Sequence, residues 1–275
     1  MTINVHAPIK NEVDYIGFSI MSLLDHVDEF VYFDGNSTDG TVKLIKHIQQ
    51  KYDKENKIKL FENQDCKNFT TDYMRLYNDC LKKCTSDWVI AFHPDMIALN
   101  PEVLRKNIGS PRDAIRYHFN VTSFCGDGKK CFTAGREPKW GLIYKNDYGL
   151  HQYGVYGAVE EDYYFREITG NEHRLFREHS PYFIYDSGLN VNHYSENKDY
   201  DFRLNKMIKV LSTVNPKMSK EVAIEKAKKH PRVTLKDGGW LGGKISQEYI
   251  FKIDNYGGKQ PKVFKKYEYF KEFKK

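Results

Sequence analysis

Apolar and polar positions alternate in blocks along the first hundred residues. Ile3 to Ala7 is an apolar run of strand length, and Ile16, Ile20, Leu23, Leu24 and Val27 recur at helical spacing. Phe30 to Phe33 reads as a short buried strand. It breaks at Asp34-Gly35-Asn36-Ser37-Thr38-Asp39-Gly40, a run of turn formers and helix caps. Val42, Leu44, Ile45 and Ile48 give the apolar side of a second helix, and Ile58 to Phe61 a third strand. Thr70 to Lys83 reads as a third helix and Trp88 to Phe92 as a fourth strand. Asn100-Pro101-Glu102 has the form of a helix start, with a capping Asn and Pro at the first helical position. Strands alternating with helices of this length predict βαβ units, hence an α/β protein with a Rossmann-type, mostly parallel central sheet flanked by helices.

Past residue 110 the alternation blurs. Ala114 to Val121 and Leu142 to Lys145 read as strands, Leu204, Met207, Ile208 and Leu211 mark a helix, and Val222 to Lys229 another. The chain therefore divides into 1–110, which carries the clean alternation, 111–258, the C-terminal α/β half of the same domain, and a tail, 259–275. In the tail Phe264, Tyr267, Phe270 and Phe273 recur every three residues with Tyr269 beside them, which predicts a helix bearing an aromatic stripe flanked by lysines. Such a stripe packs on its own domain or on a second copy of the chain. Alternatively it lies in a membrane interface with its lysines toward anionic lipid.

In open α/β sheets ligands bind beyond the carboxyl ends of the strands. Three strand ends, those of the first, second and fourth strands, are polar here, His6-Ala7-Pro8, Asp34-Gly35-Asn36 and His93-Pro94-Asp95, which predicts one shared site on one edge. After the first strand, backbone groups around Ala7 and Pro8 suit a flat base and Glu12 suits ribose hydroxyls; an acidic residue at a helix N-terminus is the plainer alternative. Asp34, followed by Asn36, suits a base imino group, and a capped turn is the alternative. Asp95 leaves a buried strand where a carboxylate can hold Mg²⁺ or Mn²⁺ on a diphosphate, with His93 a borderline ligand better suited to Mn²⁺. Trp140, Tyr153, Tyr156 and Trp240 have faces that suit sugar rings.

Charge adds one constraint. Of the net +6, the tail holds +5, with seven lysines against two glutamates, so the rest of the chain is close to neutral. A nucleic-acid binder carries its basic face within the fold, so no nucleic-acid partner is expected. Five cysteines without a CxxC pair predict free thiols in a reducing compartment. The strand-like N-terminus and the absence of any apolar run near 20 residues predict a cytoplasmic protein, peripheral at the membrane if the tail lies there.

The run Ala7-Pro8-Ile9-Lys10-Asn11-Glu12, followed by Val31-Tyr32-Phe33-Asp34-Gly35-Asn36-Ser37-Thr38-Asp39-Gly40-Thr41, resembles the start of a family 2 glycosyltransferase. Asn78, leading through Asp87-Trp88 to Asp95, resembles that family's next segment, and the likeness covers about residues 3 to 100. It implies a GT-A fold, a nucleotide-diphosphate sugar donor with a UDP-sugar favoured, and Mn²⁺ or Mg²⁺ as cofactor. Glu12 and Asp34 would hold the nucleoside and Asp95 the metal. The family's Asp-x-Asp reads His93-Pro94-Asp95 here. Tyr77 stands where the family places Arg, with Arg75 two residues earlier to serve the phosphates. Gly157-Ala158-Val159-Glu160-Glu161-Asp162 resembles the stretch that supplies the general base of an inverting transfer, Glu161 first, then Asp162 and Glu160. Asn192-His193-Tyr194 resembles relatives in which a late His helps hold the metal or diphosphate; a packed core histidine is the other reading.

The implied activity is sugar transfer to a hydroxyl of a glycan, lipid-linked or protein acceptor. Two rivals remain. A sugar nucleotidyltransferase needs a Gly-rich basic loop after the first strand, and His6 to Glu12 has neither Gly nor Arg. A catalytically degenerate protein of the same fold, binding nucleotide or glycan without turnover, is suggested by His93 in place of an Asp.

Overall fold

The first four apolar runs form four parallel strands. β1 (Ile3–Ile9), β2 (Glu29–Asp34), β3 (Ile58–Phe61) and β4 (Trp88–Ala91) lie in the order β4-β1-β2-β3. The structure, a computed structural model, describes residues 1–275 except 63, 65, 67–68, 111–113, 115, 126–129, 135–140, 147–149, 154–163, 168–171, 174–183, 197–199, 216, 235–251, 256–257 and 275. Between the strands run α1 (Ile16–Leu23), α2 (Thr41–Lys51) and α3 (Phe69–Lys83). All seven residues of β1 are buried, as a central parallel strand covered on both faces requires. Ile3, Val5, Ala7 and Ile9 pack with Ile16, Ile20, Leu44 and Ile48 of α1 and α2. On the other face Val31, Phe33 and Val89 pack with Leu76, Cys80 and Leu81 of α3.

The rest of the chain extends this sheet. β5 (Met96–Ala98), α4 (Val103–Asn107), β6 (Arg116–Cys125), β7 (Lys130–Ala134) and β8 (Gly141–Lys145) follow in sequence. A separate three-stranded sheet holds β9 (Leu150–Tyr153), β10 (Tyr164–Glu167) and β11 (Glu172–His173). Then come β12 (Ile184–Glu196), α5 (Tyr200–Val214), α6 (Lys220–Lys229), α7 (Pro231–Thr234), β13 (Lys252–Asn255), α8 (Lys262–Lys266) and a 3₁₀ segment, Glu268–Phe273. β8 joins β4 antiparallel, β6 joins β8 antiparallel, and β12 runs parallel to β6 and antiparallel to β5. The sheet is thus parallel through its first four strands and mixed beyond, and both halves of the chain contribute to it. Among the described residues no helix is long and apolar enough to cross a membrane.

Two sequence expectations are corrected. Asn100 does not cap a helix with its side chain. Its Nδ2 donates to Gly188 O (2.9 Å) and its Oδ1 accepts from Asn190 N (2.7 Å), so it pins the irregular middle of β12. The tail is not one α-helix but α8 followed by the 3₁₀ segment. A repeat of three suits a 3₁₀ turn, where residues i and i+3 eclipse, better than an α-helix, on which the stripe drifts. Nor do its rings face outward. Tyr267 and Phe270 are buried, and Phe264, Tyr269 and Phe273 pack against the main core. The aromatic-down setting in a membrane interface is therefore taken up by the chain's own α1 and α2, while Lys262, Lys265, Lys266 and Lys271 face solvent.

Gly17 makes this docking possible. A Cβ there would sit 2.6 Å from Phe270 Cδ2 and 3.0 Å from Leu44 Cδ2. Gly17→Ala in an otherwise ordinary helix would gain about 1 kcal/mol of helix propensity. Overpacking a buried ring costs about 1–3 kcal/mol and outweighs that gain. The substitution is expected to lower the melting temperature; a rise would mean that Phe270 does not fill the notch.

Candidate functional site

β1 lies between β4 and β2, so their carboxyl ends share one edge: Ile9 pairs with Asp34, and His6 with Ala91. The shared edge expected from the sequence is therefore present. His6 is the exception. The strand runs on to Ile9, so His6 lies three residues inside the sheet, fully buried, with its Nε2 2.8 Å from Tyr144 Oη. Tyr77 packs on it edge-on, rings 4.6 Å apart, and hydrogen-bonds Tyr144. Tyr77, at the position where an Arg was expected, thus completes a buried polar cluster and does not face a phosphate. Ala7 and Pro8 are buried within the same strand, which leaves Lys10, Asn11 and Glu12 as the surface part of this segment.

The loops after β1 and β2 are zipped together by side chains. Ser37 Oγ accepts from Asn11 N (2.9 Å), and Asn11 Oδ1 accepts from Thr38 N (2.8 Å). Thr41 Oγ1 accepts from Glu12 N (2.8 Å), while Asp39 accepts from Val13 N (3.1 Å) and Thr41 N (3.0 Å). The polar turn therefore spends most of its side chains on its own geometry. Asp34, 3% exposed, accepts from Ser37 N (3.0 Å), which leaves carboxylate lone pairs for a ligand. Asn36 stands exposed on the rim with φ 63°, a conformation Asn tolerates. Lys10 Nζ donates to Gly35 O (2.6 Å). Burial pushes the Cys66 thiol up, with the charges of Asp72 and Asp34 adding to the rise and those of Lys10 and Arg75 opposing it. Arg75 is exposed and paired with Asp79 at 3.4 Å. Lys10 is a cation at this edge beyond those expected from the sequence, and its place directly before Asn11-Glu12 is the signal that marks it.

At the end of β4, His93-Pro94-Asp95-Met96 closes a turn with Met96 N donating to His93 O (3.0 Å); Pro at the second position favours it. The chain reverses into β5, which pairs with β12, and Tyr194 N donates to Asp95 O (2.9 Å). This ladder sets His193 opposite Met96 and brings His193 Nε2 to 3.2 Å from Asp95 Oδ1. His93, Asp95 and His193 each offer a ligand atom, all within 4.8 Å of one another. The structure thus gathers the three residues proposed for the metal from two distant parts of the chain. Burial pulls the His93 imidazole down to about 4, against the nearby Asp95, with the charges of His193 and Lys206 adding to the fall. A neutral imidazole keeps its lone pair for a cation. Two nitrogens and one carboxylate oxygen fit Mn²⁺ better than Mg²⁺, which prefers oxygen alone. Lys206, on α5, was not foreseen, since nothing local in the sequence ties it to this edge.

Glu160, Glu161 and Asp162, like Trp140, Tyr156 and Trp240, lie outside the described residues. Tyr153 is in the small sheet.

His6, fully buried, and His93, half-buried, set an acid sensitivity. Burial, helped by the His93 charge, pulls His6 down from 6.5 to about 3. In the unfolded chain both histidines take a proton near 6.5, so the unfolded state binds more protons and stability falls as pH drops through the window from 6.5 to about 3–4. The slope approaches about 1.4 kcal/mol per pH unit for each histidine. Urea midpoints should be clearly lower at pH 5 than at pH 7; equal midpoints would mean these imidazoles are protonated in the fold.

Residues 5–109 match the model of one protein family, described as glycosyl transferase family 2. No curated protein matches the chain in sequence. Among solved structures the chain is similar to S. aureus TarS 1–349, with 14% identity over 86% of this chain and 73% of that one and a TM-score of 0.39. It is similar to the mannosyltransferase PcManGT from Pyrobaculum calidifontis, solved with GDP-Man and Mn²⁺, with 12% identity over 85% and 73% and a TM-score of 0.42. A third is glucosyl-3-phosphoglycerate synthase from Mycobacterium tuberculosis, solved with Mn²⁺ and UDP-glucose, with 15% identity over 79% and 80% and a TM-score of 0.41.

Proposed function

Starting from residues 5–109 as a family 2 glycosyl transferase segment, we propose that the protein moves a sugar, with inversion, from a nucleotide diphosphate donor to an acceptor hydroxyl, a UDP-sugar being the favoured donor. The observation that carries this reading is the gathering of His93, Asp95 and His193 on the sheet edge that also bears Asp34. Asp34 and Glu12 bind the nucleoside, with Asn36 at the rim. Lys10 and Arg75 supply positive charge toward the phosphates. His93, Asp95 and His193 hold the divalent cation, Mn²⁺ before Mg²⁺, which when bound stabilises the charge of the departing diphosphate.

In the transfer the acceptor O–H loses its proton to a carboxylate as its oxygen bonds to the anomeric carbon. The bond from that carbon to the diphosphate oxygen breaks, and the electron pair leaves with the diphosphate. Glu161 is the proposed base, with Asp162 and Glu160 behind it. The acceptor is a glycan, lipid-linked or protein hydroxyl.

UDP is expected to stabilise the protein against heat, and more so with Mn²⁺. At a hundred times its dissociation constant a ligand adds about 2.7 kcal/mol. A thermal-shift screen of nucleoside diphosphates with and without Mn²⁺ tests this, and no shift with any of them would remove the donor-site reading.

A further inference from the structure

The tail reaches both halves of the proposed site, and it does so by polar as well as apolar contacts. At its start Gln260 Oε1 accepts from Tyr194 Oη at 2.7 Å. Tyr194 is stacked between Tyr15 (5.0 Å, 11°) and Phe124 (4.8 Å, 14°), and Phe264 closes edge-on against Tyr194 at 5.3 Å and Phe18 at 4.9 Å. Tyr194 follows His193 directly, and its backbone N–H holds the Asp95 carbonyl. At its far end the Phe273 carbonyl lies over Gly40: a Cβ on Gly40 would stand 2.1 Å from that oxygen. Gly40 has φ +105° and sits between Asp39 and Thr41, the two side chains that fasten the loop after β2 to Glu12 and Val13. Lys274 Nζ then pairs with Asp14 Oδ1 at 3.0 Å. Between the ends Phe270 is seated on Gly17.

We infer that residues 260–274 are a strap that fixes the nucleoside loop and the metal strand relative to each other, with Gln260 and Phe264 as positioning residues for donor binding. The inference rests on the donor-site reading above. Loops at the ends of separate strands move independently unless something bridges them, and a ligand that touches both must then pay to order them. A tail that merely covered α1 and α2 needs only its buried rings. It does not need a hydrogen bond to the residue beside His193, nor a carbonyl fitted onto the glycine of the nucleoside turn. The strap therefore lowers the ordering cost of a ligand that spans nucleoside and diphosphate, while its lysines keep its outer face in water.

The test uses the full-length chain carrying Gln260→Ala with Phe264→Ala, which loosens the metal-strand end and leaves Phe270 in place; Gln260→Ala alone, at an exposed residue, serves if the double variant does not fold. Hydrogen exchange in the ligand-free protein is read at Tyr194 and at Glu12, Val13 and Thr41, with Val5 in the central strand as reference. UDP affinity is read by calorimetry in Mn²⁺. The expected result is exchange about tenfold faster at the four site amides but not at Val5, with UDP affinity weakened about tenfold. A lower melting temperature with unchanged site exchange, or with unchanged UDP affinity, is what simple packing gives and overturns the strap. If the unaltered chain binds no nucleoside diphosphate, the donor reading fails, whereas the exchange pattern still decides whether the tail couples the two loops.

Discussion

Asp95→Asn is expected to weaken Mn²⁺ binding by more than about a hundredfold and to abolish transfer, while the fold survives. Loss of a group that merely supports a metal ligand costs 10–100-fold in metal affinity, and Asp95 is the only anionic member of the three-residue candidate cluster, so its loss is expected to cost more. The two imidazoles left behind are neutral or charged, and neither offsets a cation's charge. The fold has little reason to respond. The contact that ties this turn to β12 is the Asp95 backbone carbonyl accepting from Tyr194 N, which the substitution keeps. Phe92 and Met96 on either side remain in the core. The carboxylate's contact with His193 at 3.2 Å is weakened, at a cost on the order of 1 kcal/mol, part of which an amide can replace. Calorimetric Mn²⁺ titration together with a thermal melt reads both effects. Wild-type Mn²⁺ affinity in the variant would move the metal site elsewhere and leave His93 and His193 as packing.

The parallel half of the fold was legible because its strands are buried on both faces. Their sequences are nearly continuous apolar runs separated by amphipathic helices, and the polar residues fall at strand ends. Legibility stopped where polarity serves the interior. His6 reads as an edge residue, yet it is the partner of Tyr144, and nothing near it in the sequence announces a tyrosine 138 positions away. β12 was invisible for the same reason. Asp186, Ser187, Asn190 and Asn192 interrupt any strand pattern, but Ser187 and Asn192 are fully buried and Asn190 is held by Asn100. The candidate metal cluster was half legible. Asp95 and His93 followed from a strand exit, whereas His193 came only from family resemblance, because its position depends on the β5–β12 ladder. The tail's three-residue aromatic repeat was plain, but its destination was not, since the receiving surface is defined by the absence of a side chain at Gly17 and Gly40.

That absence makes Phe270 a residue whose loss should cost the fold heavily. Phe270 is 1% exposed, stacks on Tyr267 at 5.2 Å, meets Tyr269 at 4.9 Å and reaches Phe18 at 5.7 Å. Phe270→Ala is expected to destabilise the protein by about 3–5 kcal/mol, the usual cost of a Phe-to-Ala cavity, or roughly 10 °C in melting temperature. The size alone does not prove where the ring sits, but the coupling to Gly17 does. With Phe270 present, a methyl at Gly17 collides with the ring and destabilises. With Phe270 truncated the same methyl enters the cavity, the remaining close neighbour is the flexible end of Leu44, and the helix propensity of Ala over Gly is recovered. Gly17→Ala should therefore change sign, from destabilising in the wild type to stabilising by up to about 1 kcal/mol in the Phe270→Ala background. The coupling energy between the two sites should be about 1–3 kcal/mol, well above the scatter of independent substitutions. Urea denaturation of the four proteins of the cycle measures it. Additive effects would mean that the tail does not dock in the Gly17 notch, and the strap would lose the anchor that holds its middle.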